Sequence, residues 1–264
     1  MMSDFFLALL LALIQGLTEF LPVSSSAHLL FPSLLFGAKD FGIVFDISVH
    51  AGTLAAVIYY FKKEINGLLQ AWLPWTKNRN KENFSLGLYL LIATLPIVVV
   101  GLLASDLAES RSANINSIAW ANLIFAGLLF TAFKFSSQSK SLTELTLLTA
   151  LIIGCFQALA VFPGASRSGM AITGALIIGL NLKDTSRFAF LLSIPTILGA
   201  LTLMLAKGAY SIALSDMFIM LTGFIGSAFI AFITIKGFLH FVAKIGMTPF
   251  VLYRVALGIV LLLI

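Results

Sequence analysis

Glu19 and Arg167 are charges set into stretches too apolar to belong in water, and each has serines and a proline beside it. Glu19 lies in TEFLPVSSSAH and Arg167 in PGASRSG, 148 residues later. A charge at bilayer depth costs about 2.5–3.5 kcal/mol on insertion scales, so it persists where it pairs, lines a wet cavity or does chemistry. Two opposite charges among hydroxyls are the parts of a polar pocket for a small anionic ligand. The plainer alternative is a buried structural ion pair between two helices. The guanidinium of Arg167 is a planar fork matched to phosphate oxygens. Ser24, Ser25, Ser26, Ser166 and Ser168 can donate to phosphate, attack it, or simply cap helices. Gln15 and Glu19, four residues apart, share one helix face and present oxygens together. Beside a phosphate, such hard donors suit Mg²⁺ or Ca²⁺, and the lack of a Cys/His cluster argues against zinc. His28 follows Ser25 by three residues and Ser24 by four, one helical turn, where it can relay a proton to or from a hydroxyl or leaving group. Asp46 and His50 form another pair at that spacing, supporting the pocket or merely interfacial.

These residues need elements to position them, and the composition says which kind. The chain is 60% hydrophobic and 10% charged, with mean hydropathy +1.06. A soluble domain carries about 25% charged residues, so this is an integral, all-α membrane protein. Charge-free runs cover 83–105, 112–133, 145–166, 188–206 and 217–235, each near the roughly 20 residues a spanning helix needs. Residues 44–61 and 248–264 are further candidates, the second with Arg254 inside it. The apolar run 5–18 resembles a signal peptide, but it lacks a basic start and a small-residue cleavage site and runs straight into Glu19, so it is expected in the mature protein.

Pro22 and Pro163-Gly164 break the helices that contain the two polar motifs. The segments on either side, 5–20 with 24–37 and 145–161 with 166–180, are marginal as separate spans. Each pair reads as a re-entrant helix–turn–helix whose tip stops near mid-membrane, where irregular backbone survives only inside protein or beside water. The two motifs also align as an internal duplication: IQGLTEFLPVSSSAHL with FQALAVFPGASRSGMA, placing Gln15 on Gln157, Phe20 on Phe162, Ser24 on Ser166 and Ser25 on Arg167. FDISVHAGTLAA then falls on FAFLLSIPTILG, and TLPIVVVGLL loosely on MTPFVLYRVALGIV. The expected architecture is a single domain, 1–264, with repeats at about 1–133 and 145–264. Each repeat holds one re-entrant pair and three transmembrane helices, an odd number that inverts the second repeat. The two tips then meet at the midplane and aim helix N-termini into one pocket.

Charge distribution sets orientation. Segments 62–83, 134–144, 181–187 and 236–247 carry eleven Lys/Arg and are expected inside, whereas 37–43, 106–114 and 207–216 carry three and are expected outside. Basic charge in this pattern fixes topology and gives no sign of a nucleic-acid partner. Cys155 is alone, so no internal disulfide forms, and packing is its expected role. Gly223, Ser227 and Ala231 make a small-residue face for packing within the subunit or between two copies as a homodimer.

At these motifs the sequence resembles the bacterial undecaprenyl-pyrophosphate phosphatases of the bacitracin-resistance family. QGLTEFLPVSSSAH is similar to their Glu/Gln-xxx-Glu region and PGASRSG to their Pro-Gly-x-Ser-Arg-Ser-x-x-Thr motif, and the likeness extends through FDISVHAGTLAAV and TPFVLYR. The resemblance implies an enzyme of the bacterial cytoplasmic membrane. It would dephosphorylate a polyprenyl pyrophosphate lipid at the outer face, use a divalent cation and regenerate the carrier for cell-wall synthesis. It assigns Glu19 and Gln15 to the acidic motif, Ser25 to the candidate nucleophile, His28 to the motif histidine and Arg167 to phosphate binding. The motif's last Thr is Ala171 here, and Thr173, about 200° further round a helix, cannot take its place. From the residues alone, a transporter or flippase of a phosphorylated lipid using the same anion site is the rival, and metal-activated water competes with Ser25 as nucleophile.

Overall fold

Helices form where the apolar runs lie and stop where proline, glycine or polar clusters interrupt them. The computed structural model describes residues 2–73, 80–104, 114–207 and 214–263. Among them are eleven α-helices, two short 3₁₀ turns and one isolated bridge between Lys140 and Leu180. Helix α1 (Met2–Thr18) and α2 (Ser25–Phe36) flank the first polar motif; α7 (Leu147–Ala158) and α8 (Arg167–Ile177) flank the second. At 1.5 Å per residue, α2, α7 and α8 are each under about 20 Å long and cannot cross a hydrocarbon core of about 30 Å. Between the pairs run α3 (Ile43–Tyr60), α4 (Lys62–Trp72), α5 (Lys81–Leu103) and α6 (Ile115–Phe135). The chain ends with α9 (Leu182–Lys207), α10 (Leu214–Ile245) and α11 (Thr248–Leu263).

Five helices, α3, α5, α6, α9 and α10, are long and apolar enough to span a membrane. The sixth expected span, 248–264, forms α11 of 16 residues, starting at Thr248 as expected but shorter than the roughly 20 residues of a full crossing. Two segments expected as loops are helical instead. Lys236 and Lys244 continue α10, which runs unbroken until Gly246 adopts φ 71°, and Lys62 to Trp72 form α4. The expected outer segment 106–114 falls outside the described residues except for Asn114, as do Lys77, Arg79 and most of 207–216.

Lipid offers helices no hydrophobic reason to associate, so close packing must hold them together. A Cβ on Gly52 of α3 would collide with Ser227 and with the Phe224 carbonyl of α10, and one on Gly154 of α7 would collide with the Ala93 carbonyl of α5. The Gly223–Ser227–Ala231 face is used within the chain. Ser227 Oγ donates to the Val49 carbonyl at 2.9 Å, a Cβ on Gly223 would meet Phe45, and one on Gly16 of α1 would meet the Ala231 backbone. That face therefore gives a homodimer no support. On the far side of α10, Phe218, Leu221, Ile225, Phe229 and Ile233 are exposed at helical spacing, as a lipid-facing stripe requires. Cys155 is likewise exposed on α7, so it does not pack inside as expected.

Candidate active site

The two helix breaks come together. Phe20, fully buried, packs edge-on against Phe190 of α9 with ring centroids 5.3 Å apart, which fixes the end of α1 to the interior. Phe162, its partner in the internal alignment, is 46% exposed and anchors nothing comparable. The breaks are tied directly by Ser168 Oγ, which donates to the Leu21 carbonyl at 2.8 Å. Arg254 of α11 ties them again: its Nη2 donates to the Gly164 carbonyl at 2.9 Å and its Nη1 reaches the Pro22 carbonyl at 3.5 Å. Arg254 is fully buried and has no carboxylate partner among the described residues, so its charge adds to a positive environment at the tips. Gly169 has no side chain where Nη1 lies, since a Cβ there would sit 3.0 Å from it.

Glu19 is the hub. Its Oε1 lies 3.2 Å from Arg167 Nη2, and its Oε2 accepts from Ser25 Oγ at 2.6 Å and from Gln15 Nε2 at 2.8 Å. His50 Nε2 stands 3.7 Å from the same Oε2. Four elements thus converge on one carboxylate that is nearly buried, while Arg167 and Ser25 remain partly open. Gln15 is fully buried and its Oε1 has no partner, a hard donor free beside the carboxylate. Among the described residues no cluster of three His, Cys, Asp or Glu side chains forms a ready-made metal cage.

The serines divide by what their protons do. Ser24 and Ser166 both precede a helix with φ 73°, a backbone region that non-glycine residues rarely occupy. Ser166 Oγ caps α8 by accepting from the Gly169 amide at 3.1 Å and lies 3.2 Å from Ser168 Oγ. Because Ser168 gives its one proton to Leu21, Ser166 donates to Ser168, and neither has a proton left for a phosphate in this arrangement. Ser24 makes no side-chain cap on α2, lying 3.5 Å from Ser26 Oγ. The first amides of α2 are therefore left unpaired by any capping side chain, and Ser26 is partly open beside Ser25.

His28 does not reach Ser25. Its Nδ1 donates to the Ser24 carbonyl at 2.7 Å and its Nε2 lies 2.6 Å from Tyr253 Oη, with the two rings stacked 5.6 Å apart. The group within reach of the Ser25 proton is Glu19. The motif departure at Ala171 puts a methyl in the core, and Thr173 spends its hydroxyl on its own helix, donating to the Gly169 carbonyl at 2.7 Å. Asp46 meets His50 through its main-chain carbonyl, 2.7 Å from Nδ1, and so supports the imidazole that faces Glu19. Sequence reasoning marks Arg254 only as a membrane-embedded charge and gives Tyr253 no role. The charge inside the apolar run 248–264 is the signal that points to this end of the chain.

Comparison with known proteins gives the family. The family profile described as Bacitracin resistance protein BacA matches residues 8–260. A protein of Saccharophagus degradans named undecaprenyl-diphosphatase is 45% identical over 97% of this chain and 96% of its own length. Proteins with the same name from Alcanivorax borkumensis and Teredinibacter turnerae are each 44% identical, over 98% of both chains.

Proposed function

The chain belongs to the bacitracin resistance protein family, and from its site we propose that it dephosphorylates undecaprenyl diphosphate to the monophosphate carrier lipid. One observation carries the reading: Ser25 Oγ donates at 2.6 Å to a carboxylate that Arg167 also holds. A site that only carried a phosphorylated lipid across the membrane would need the cation but not a hydroxyl hydrogen-bonded to a base. In the proposed reaction Arg167 and the open amides of α2 bind the terminal phosphate. Ser25 Oγ attacks its phosphorus, Glu19 accepts the serine proton, and the bond to the bridging oxygen breaks to release the lipid monophosphate. Glu19 passes that proton to the departing monophosphate. Water then attacks the phosphoserine and gives a proton to Glu19, which returns it to Ser25 Oγ as inorganic phosphate leaves. His28 acts through the turn, holding the Ser24 carbonyl so that Ser25 stays on Glu19. Ser24 and Ser26 contribute hydroxyls at the open end of α2.

A divalent cation, Mg²⁺ or Ca²⁺, fits the donors present: Glu19 and the unpartnered Gln15 Oε1 would hold it, with phosphate oxygens and water completing its shell. When bound it would neutralise phosphate charge as a Lewis acid. The same reading places the protein in the bacterial cytoplasmic membrane as an inverted repeat with the site open to the outer face. The repeat in this reading is supported by the matched φ of 73° at Ser24 and Ser166 and by buried Gln15 and Gln157, each with one unpartnered amide atom. The direct test is phosphate release from a polyprenyl pyrophosphate by the purified protein, with and without chelator. Chelator-sensitive release that Glu19→Gln nearly abolishes is expected, with Gln15→Glu tolerated because it adds a hard oxygen. A fully active Glu19→Gln enzyme would remove Glu19 from both roles.

A further inference from the structure

A second polar region lies away from the Glu19 site. Lys183 and Arg187 of α9, Lys236 and His240 of α10, and Glu64 of α4 line a cavity of ≈ 880 Å³. That volume falls within the roughly 300–1,000 Å³ of ligand pockets. Its position follows from α3: His50 faces Glu19, and Tyr60, at the rim of this cavity, lies ten residues on. At the helical rise that is about 15 Å along the axis. The cavity therefore opens at the opposite end of α3, where basic residues gather.

The charges are unbalanced. Arg187 Nε donates to Glu64 Oε2 at 2.9 Å, which uses the cavity's only carboxylate. Lys183 and Lys236 have no ion-pair partner among the described residues and are exposed. Two ammonium groups and a half-used guanidinium thus share one space whose single lining carboxylate, among the described residues, is already paired with Arg187. The remaining wall is apolar: Phe61 is buried at its floor, and Ile233 and Phe241 are about half exposed on the lipid-facing side of α10. Cationic heads beside an apolar wall at a membrane interface match a molecule with a phosphate at one end and hydrocarbon at the other.

We propose that this cavity binds an anionic phospholipid, its headgroup phosphate held by Lys183, Lys236 and Arg187 and an acyl chain laid along Ile233 and Phe241. A bound lipid here would brace α4, α9 and α10 against one another at the end remote from the chemistry. The lining residues include none that contact Glu19, so occupancy and turnover are separable.

Native mass spectrometry of the purified full-length protein tests this, with phosphatidylglycerol and phosphatidylcholine of identical acyl chains as probes. The wild type should retain phosphatidylglycerol at least tenfold more strongly than phosphatidylcholine. Lys183→Gln with Lys236→Gln should bring the two lipids within twofold, while phosphate release from a polyprenyl pyrophosphate stays near the wild-type rate. Lys183→Arg with Lys236→Arg, which keeps both charges, should retain the preference. Equal retention of the two lipids by the wild type, or an undiminished preference in the glutamine pair, overturns the proposal. So does displacement of the lipid by millimolar inorganic phosphate, which would mark a site for free phosphate. Should the double variant fail to fold, Lys236→Gln alone must lower the preference at least threefold, and no loss there is equally fatal.

Discussion

Glu19 meets four partners at once, a guanidinium, a hydroxyl, an amide and an imidazole, and the first two predict different losses. Arg167 contacts it through one Nη at 3.2 Å, leaving the rest of the fork for phosphate. Arg167→Lys keeps the charge but cannot reach carboxylate and phosphate together. Turnover should fall at least tenfold, the equivalent of about 1.4 kcal/mol in the barrier, and steady-state phosphate release measures it. Near-normal turnover in that variant would reduce Arg167 to a structural pair. Ser25 is the sharper case. If its oxygen attacks phosphorus, Ser25→Ala should retain only trace activity, and Ser24→Ala and Ser26→Ala should cost less because neither hydroxyl contacts the base. Rapid quench with substrate labelled in the terminal phosphate should trap phosphate on Ser25 of the wild type. Robust turnover by Ser25→Ala, with no protein-bound label, would transfer the attack to water. These residues were legible in the sequence because a charge persists at membrane depth only where it pairs, meets water or does chemistry. Their division of labour was not, since only geometry shows that Ser168 spends its proton on Leu21 and that His28 faces Tyr253 rather than Ser25.

At the scale of elements, the site depends on two helix breaks meeting, and Arg254 joins them alongside Ser168. One guanidinium on α11 serves the Pro22 carbonyl of the first break and the Gly164 carbonyl of the second. Arg254→Met would leave both carbonyls without that donor, at about 1–3 kcal/mol for each one stranded. Thermal unfolding in detergent should shift down, and turnover should fall even at temperatures where the variant is folded, because Glu19 and Arg167 sit on opposite breaks. A variant with wild-type melting and activity would show that Ser168 and the Glu19–Arg167 pair keep them together without it. Helix positions were readable from apolar length and from Pro22 and Pro163, since those depend on local chemistry. Arg254 was harder to read because its role depends on two carbonyls that lie 232 and 90 residues away along the chain. Helix ends also escaped the sequence: nothing in a basic segment reveals that Lys236 and Lys244 prolong α10 until Gly246 stops it.

The whole molecule must present this pocket to one side of a membrane, and orientation follows from charge that lies far from the pocket. Lys134 and Lys140 lie near the end of α6 or just beyond it, and Lys183 and Arg187 open α9; all belong to the side expected to carry eleven Lys/Arg. Lys39, paired with Asp4 at 2.7 Å, lies on the other side, before α3. Translocation leaves short basic segments in the cytoplasm, so the α6–α7 connection should stay inside and the α2–α3 connection should face out. The same assignment puts α4 and the basic cavity at the inner face and sends Asp46 and His50, near the start of α3, toward the outer half with Glu19. Single cysteines at positions 39 and 140, introduced on a background in which exposed Cys155 has been replaced, distinguish the two orientations. A membrane-impermeant thiol reagent added to intact cells should label position 39 and leave position 140 unlabelled until the membrane is opened. The reverse pattern would place the Glu19 pocket toward the cytoplasm, and a carrier lipid presented from outside could then not be its substrate.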